Sequence, residues 1–284
     1  MGKPEVSIVV LNWNGKSHLS NCLKAIKRYT KIPYEAIVVD NMSKDGSVEM
    51  LKREFKWVKL IENKTNLGVP VSTNKGFRIA KGRFIATLGN DTVVTKNWLE
   101  PCIDHLESSD NIACVGITLC EPHLMDKIKP ENKFRYRDAV CSQGMIFKRE
   151  ILGRVGYYDE KNFNPIGGEE VDWQYRIINA GYRIIETRKS IISHIGGADS
   201  SPQNPNRQFL LNYGRMKAIL YNDSPISFFK RVPGLLLTLL TSIQEKTTKT
   251  VLRSYFAPFK DIDNILTERK KRSMALLSGR HLIS

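Results

Sequence analysis

The sequence predicts an α/β fold on a mostly parallel central sheet flanked by helices, with a helical appendage at its C-terminal end. Three observations carry this. Short, apolar, β-branched runs alternate with helical patterns through the first 91 residues. Polar residues gather where those runs end. Residues 225–284 then change to apolar and basic helical stretches. Parallel strands joined through helices take right-handed crossovers, and such sheets bind ligands beyond the carboxyl ends of their strands.

The elements follow in order. Val6–Leu11 is a continuous apolar run, as a strand covered on both faces requires. After Asn12-Trp13-Asn14-Gly15, the residues Leu19, Cys22, Leu23, Ile26 and Tyr29 keep a 3–4 spacing, with Ser17 as the expected N-cap. Ala36–Val39 is a second buried strand, closed by Asp40; Ser47–Phe55 is a helix and Val58–Ile61 a third strand. The next helix runs from Gly68 to Lys81, with Pro70 near its start and Gly82 past its end. Phe84–Leu88 is a fourth strand, closing at Gly89-Asn90-Asp91.

Beyond it, Asn97–Leu106 reads as a helix, Ile112–Ile117 and Met145–Phe147 as strands, and 121–138 as a long polar loop. Glu169–Asn179 is a helix stopped by Gly181. Tyr182–Glu186 and Ser190–Ser193 are two short strands leading to His194. The turn-rich stretch 196–206 is a mobile loop, and Phe209–Tyr221 is helical.

The 284 residues are 41% hydrophobic and 26% charged, a globular balance that excludes disordered and collagen-like chains. Five cysteines, an odd number without CxxC spacing, argue against a disulfide framework or zinc finger and for a reducing compartment. No leader pattern precedes Val6, so a cytoplasmic location is expected. GxGxxG and Walker patterns are absent.

Net charge is +15, which suggests polyanionic partners: nucleic acid, anionic lipid or phosphorylated substrates. Residues 225–284 alone carry 11 basic against 4 acidic residues. There the apolar run Val232–Ile243 is 12 residues long, short of the ~20 that a membrane span needs. Phe228, Phe229, Val232, Leu236, Leu239, Leu240 and Ile243 roughly share one helical face, flanked by Lys230, Arg231, Lys246, Lys249 and Arg253. Such a helix either lies on an anionic membrane surface or packs on the domain before it. The expected division is a catalytic domain over 1–224 and a basic amphipathic region over 225–284. No RRM, helix-turn-helix or zinc pattern supports nucleic acid as the partner.

Six segments occur in an order that resembles family 2 of the GT-A-fold glycosyltransferases, especially its rhamnosyltransferase-like branch. They are VSIVVLNWNG (6–15), IVVDNMSKDGS (37–47), NLGVPVSTNKGFRIAKGRFIATLGNDTVV (66–94), GMIFKREILGRVGYYDE (144–160), GGEEVDWQYRIINAGYRI (167–184) and SHIGG (193–197). Together they cover about two thirds of the chain.

The resemblance implies the site. Asp40, otherwise an ordinary turn residue, would accept a hydrogen bond from the N3–H of uracil or thymine. Asn12, Asn66, Gly68 and Asn90 would line the donor side, with Asn74 and Gly76 on the helix beneath. Asp91 matches the last acid of the family's DxD-type motif, written here Gly89-Asn90-Asp91 with a single carboxylate. With His194 it would hold Mn²⁺ or Mg²⁺ on the diphosphate. Glu170 would be the base that deprotonates the acceptor hydroxyl, with Glu169 as second choice. Acids also favour helix N-termini through the dipole, which Glu169, Glu170 and Asp172 fit equally well. Trp173, one turn on, either stacks on an acceptor sugar or belongs to the core.

The expected protein is therefore an inverting glycosyltransferase on the cytoplasmic face of a membrane. It would use a UDP- or dTDP-sugar and a glycan or lipid-linked glycan acceptor in surface polysaccharide biosynthesis. Three alternatives stand beside it: a glycosyltransferase-like chain that has lost catalysis, a sugar nucleotidyltransferase, and a basic nucleic-acid-binding protein. For the second, the loop after the first strand holds a single lysine, Lys16, where a triphosphate would demand more.

Overall fold

The structure, a computed structural model, describes residues 3–196 and 205–278. Strand β1 (Val6–Asn12) is buried throughout except at Leu11, because helices cover both faces of the sheet. Ile8 and Val10 turn to one core and Val9 to the other, the period-2 alternation of a strand sandwiched between two apolar layers. On the first face lies α1 (Lys16–Tyr29), burying Leu19, Cys22, Leu23 and Ile26 as their spacing predicts. Its first turn is not capped by Ser17. Gly15 is the N-cap residue, and Asp45 reaches across to accept from the Lys16 amide at 2.7 Å.

Strand β2 (Tyr34–Asp40) and helix α2 (Ser47–Glu54) follow, then β3 (Lys59–Glu62), α3 (Val69–Ile79) and β4 (Phe84–Gly89). β3, β2, β1 and β4 are neighbours in that order and all parallel. Asn12, Asp40 and Gly89 therefore arrive together at one edge, the carboxyl ends of three adjacent strands.

Two-residue β5 (Thr92–Val93) precedes α4 (Glu100–Ser108) and β6 (Ile112–Cys120). The helix starts at Glu100 rather than Asn97, whose backbone is left-handed at φ 57°. The expected loop 121–138 contains β7 (Phe134–Arg137). Its four residues are all exposed, so no apolar alternation marks it; Arg137 pairs with Glu186 at 2.6 Å across the ladder. After β8 (Gly144–Lys148) come two four-residue helices, α5 (Leu152–Val155) and α6 (Glu160–Phe163), and then α7 (Glu169–Asn179).

The two short strands expected after α7 are one strand, β9 (Arg183–His194). A register shift opposite Ile117/Thr118 interrupts it and accounts for the break in its pattern. β8 runs antiparallel to β4 and β6, β9 parallel to β6, and β5 and β7 antiparallel to β9. The loop expected over 196–206 lies almost wholly outside the described residues.

Among the described residues four α-helices follow: α8 (Pro205–Asn222), α9 (Pro225–Gln244), α10 (Thr248–Phe256) and α11 (Ile262–Ser278). α10 and α11 pack on α8. Arg272 of α11 reaches into the α/β body, pairing with Asp172 of α7 and, at 2.6 Å, with Asp159 before α6. Asp172 also receives Arg176 at 3.0 Å and Asn222 at 2.8 Å. Despite complete burial, these two guanidinium groups hold the Asp172 carboxyl below the usual range.

α9 is 20 residues long, not 12, and its segment Ile226–Gln244 is long and apolar enough to cross a membrane. The face expected from spacing divides in two. Phe228, Val232 and Leu239 are half-buried, whereas Ile226, Phe229, Leu236, Leu237, Leu240 and Ile243 are exposed, Phe229 at 72%.

Candidate active site

Asn12 links the donor-side residues. Its Nδ2 donates to Asp40 Oδ2 at 2.8 Å and to Ser43 Oγ at 3.1 Å, while its Oδ1 accepts from Asn90 Nδ2 at 2.8 Å. Asp40 Oδ1 accepts from the Ser43 amide at 2.8 Å. Asp40 is only 1% exposed, so its first task is to fix the turn that follows β2. A carboxylate offers about four lone-pair sites, of which these bonds use two.

The adjoining amides form a second cluster. Asn41 Nδ2 donates to Asn66 Oδ1 at 2.7 Å, and Asn66 Oδ1 also accepts from the Gly68 amide at 3.0 Å. Asn74 is turned away from the site: it bonds the backbone of Tyr158 at 2.9 and 3.1 Å and ties α3 to the segment before α6. Gly76 lets α3 lie directly on Val9 of the sheet.

Asp91 and His194 meet. Pairing of Thr92 with His194 across β5 and β9 brings their ends together, and the Ile195 amide donates to Asp91 O at 3.0 Å. His194 Nε2 lies 3.2 Å from Asp91 Oδ2, and the hydrogen bond to this carboxylate raises the imidazole above its ordinary value. Two adjacent ligands of an octahedral cation, each ~2.1 Å from it, stand ~3 Å apart, so the pair has the spacing such an ion needs. Oxygen and imidazole donors suit a Mn²⁺-like ion. No group of three or more His, Cys, Asp or Glu forms a metal cage among the described residues. Other ligands would come from diphosphate oxygens and water.

Gly89, where the family's motif has its first acid, is closely flanked by two side-chain ends. A Cβ there would run into Gln143 Oε1 and, at 2.6 Å, Asp91 Oδ1. Gln143 escaped the sequence reading because it lies in a segment with no periodic pattern.

Residues 139–143 join the two halves of the site. Gln174 of α7 grips Val140 through both its amide and carbonyl, at 2.7 and 2.9 Å, and Thr87 Oγ1 donates to Ser142 O at 2.6 Å. The Cys141 thiol between them is raised by desolvation and, to a smaller extent, by the negative charges of Glu170 and Asp91, while Arg215 lowers it.

Gly167 and Gly168, at φ 111° and 84°, form the turn that begins α7. Gly214 of α8 packs on this turn so closely that a Cβ on any of the three would strike backbone. Glu170, half-buried, faces a cavity of about 520 Å³ between α7, α8 and α9. Glu169 turns inward, where its Oε2 accepts from the Gly167 amide at 2.6 Å. Burial, then the neighbouring Glu170 charge, pushes the Glu169 carboxyl well above its usual value.

Trp173 does not reach an acceptor. It is fully buried, donates from Nε1 to Gly156 O at 2.9 Å and packs edge-on against Phe147 and Tyr158. Tyr175, Asn212, Arg215 and Lys230 line the Glu170 cavity instead, and sequence reasoning missed all four. They come from three helices whose mutual packing leaves no mark in local spacing.

The sequence profile described as glycosyl transferase family 2 matches residues 7–163. A glycosyltransferase of Haemophilus influenzae is 29% identical over 241 residues, spanning 81% of this chain and 72% of its own. One from Methanocaldococcus jannaschii is 24% identical over 285 residues, spanning 88% and 97%. Among solved structures, the mannosyltransferase PcManGT of Pyrobaculum calidifontis, in complex with GDP-Man and Mn²⁺, superposes with a TM-score of 0.65 at 17% identity, covering 97% of this chain and 81% of that one. S. aureus TarS 1-349 in complex with UDP-GlcNAc gives 0.59 at 15%, covering 97% and 92%. Together with the sheet order, these likenesses bear out the expected GT-A architecture.

Proposed function

The chain belongs to glycosyl transferase family 2, and from that premise we propose that it transfers one sugar, with inversion, from a UDP- or dTDP-type nucleotide sugar to a hydroxyl of a glycan or lipid-linked glycan. Rhamnose is a candidate sugar by the branch resemblance alone. The observation that carries the reading is the meeting of Asp91 and His194 beside Gln143, in a segment whose residues 139–141 line the same cavity as Glu170.

Each residue then has a task. Asp40 receives the base N3–H on a lone pair left free by Asn12 and Ser43, and Asn90 orients the donor from the edge of β4. Asp91 and His194 would hold a divalent cation, Mn²⁺ or Mg²⁺, which neutralises charge on the departing diphosphate. Glu170 takes the acceptor proton as the hydroxyl oxygen forms a bond to C1. The bond from C1 to the diphosphate oxygen breaks on the opposite face, so configuration inverts. Burial and the Glu170 charge both disfavour a second negative charge on Glu169 behind the base.

The outward face of α9, with Lys230, Lys246, Lys249 and Arg253 near it, suits a peripheral seat on the inner, anionic face of a membrane. That placement would set the enzyme beside lipid-linked acceptors of surface polysaccharide. Release of free sugar from UDP-, dTDP- and GDP-sugars, with and without Mn²⁺, tests the proposal. Mn²⁺-stimulated turnover of a UDP- or dTDP-sugar is expected, and turnover of none of them would refute it.

A further inference from the structure

Gly89 and Gln143 face each other beside Asp91. The antiparallel ladder of β4 and β8 pairs Leu88 with Gly144, and one step further along it Gly89 stands opposite Gln143. Residues opposite each other in such a ladder send their side chains to the same face of the sheet. Gly89 has no side chain, so that of Gln143 can cross into the space that a residue at 89 would fill. It does so: a Cβ on Gly89 would collide with Gln143 Oε1, and Asp91 Oδ1 is 2.6 Å from the same point.

The meeting is one of acceptors. A carboxylate oxygen and an amide carbonyl oxygen both carry lone pairs and neither carries a proton. Two of them turned toward one point repel unless a positive charge sits with them. Gln143 is half-buried, and no hydrogen bond within the described residues engages its side chain. Holding the segment falls to other groups: Gln174 grips Val140, and Thr87 Oγ1 donates to Ser142 O at 2.6 Å. Gly144 then enters β8. The backbone at 143 is thus fixed on both sides while the amide stays uncommitted. By the other oxygen of the same carboxylate, His194 Nε2 stands 3.2 Å from Asp91 Oδ2. A carboxylate, an imidazole and a carbonyl oxygen therefore gather at the ends of β4, β9 and β8.

We propose that Gln143 is a ligand of the divalent cation, its Oε1 taking the place of the side chain that Gly89 lacks. The assignment rests on the reading of Asp91 and His194 as cation ligands and adds a third protein donor to them. Amide carbonyl oxygens are ordinary ligands of hard divalent ions. A neutral one leaves the site one negative charge poorer than a second carboxylate would. Affinity in such sites rises with the charge of the ligands, so this chain holds the ion weakly by itself and the anionic diphosphate adds to the grip. Gly89 belongs to the same device, because any side chain there would push the Gln143 carbonyl aside.

Titration of the full-length protein with Mn²⁺ alone, the free ion being followed by electron paramagnetic resonance, tests the site without turnover. The wild type is expected to bind one equivalent. Gln143→Leu is expected to weaken binding about tenfold. Gln143→Glu keeps an oxygen in the same place and adds a charge, so it is expected to tighten binding about tenfold. Neither change touches the core, and melting temperatures close to wild type are expected for both. Unchanged affinity in Gln143→Leu overturns the proposal. So does a loss in Gln143→Glu as large as that in Gln143→Leu, which would make the amide a hydrogen-bond donor to Asp91 instead of a ligand. Binding lost in His194→Ala yet kept in Gln143→Leu removes Gln143 alone and leaves the pair of Asp91 and His194 standing. No binding by the wild type removes both. Sugar release from nucleotide sugars, read separately, decides the transferase reading whichever way the titration falls.

Discussion

Glu169 and Glu170 are consecutive residues with opposite surroundings: Glu169 is 4% exposed and bonded to the Gly167 amide, while Glu170 opens onto the cavity. Adjacent side chains at a helix start point about 100° apart, so one can enter the core while the other does not. Glu170→Gln is expected to lower transfer by ~10²–10⁴-fold while donor binding stays near wild type. Transfer at the wild-type rate would remove Glu170 from the base role.

Glu169 makes a separate prediction about pH. Its carboxyl is raised above 4.5 when folded, so as pH climbs past 4.5 the unfolded chain gives up a proton that the folded chain keeps. Stability contributed by this group is full below that pH and is lost as pH rises through the folded value. Melting temperatures of wild type and Glu169→Gln are expected to diverge in the variant's favour between mildly acidic and mildly alkaline buffer. Parallel curves would show that burial does not hold the proton.

For His194 the partner is Asp91, whose hydrogen bond raises the imidazole above 6.5. In Asp91→Asn the histidine, read by NMR in metal-free protein, is expected to titrate lower. Stability from the pair is complete below 6.5 and fades as pH rises through the folded value, so the variant is expected to lose stability on the acid side. Mn²⁺ binding, followed by electron paramagnetic resonance, is expected to weaken at least ~10-fold in His194→Ala.

The tail is tied in through Arg272. Replacing it with Met leaves Asp159 and Asp172 short of a buried cation, which is expected to cost about 3–5 kcal/mol in urea unfolding. Asp172 retains Arg176, so the loss is borne mainly at Asp159. A change below ~1 kcal/mol would mean that α11 merely rests on the domain.

Leu237 and Leu240 are more than half exposed on α9. Changing both to Glu is expected to cut sedimentation with anionic vesicles by at least ~10-fold, since each buried leucine is worth ~1.5–3 kcal/mol in an apolar phase. Thermal stability is expected to hold, because neither side chain is in the core. Undiminished pelleting would locate membrane binding elsewhere.

What was legible in the sequence follows from where the physics is local. Continuous apolar runs such as Val6–Leu11 must be buried on both faces, and the polar residues ending them must sit at one edge; Asn12, Asp40 and Asn90 do. Trp173 lay beyond such reasoning, because an aromatic residue near the start of a helix fits either a ligand or a core. Gln143, Asn212 and Arg215 were invisible for a different reason. Their positions depend on a loop gripped by Gln174 and on a backbone contact at Gly214, and neither leaves a periodic trace. The exposed β7 gave no alternation because both its faces meet water.

The short pairing of Thr92 with His194 also sets a clock. Its two partners are about a hundred residues apart in the chain, so closing the contact costs more loop entropy than the local pairings among β1 to β4. While the protein is still emerging from the ribosome, β1 to β4 can already lie side by side, yet the Asp91 carboxylate has no imidazole beside it. The two side chains can meet only once β9 has been made, so a product ending before that strand would keep the polar edge of β1, β2 and β4 without an imidazole beside Asp91.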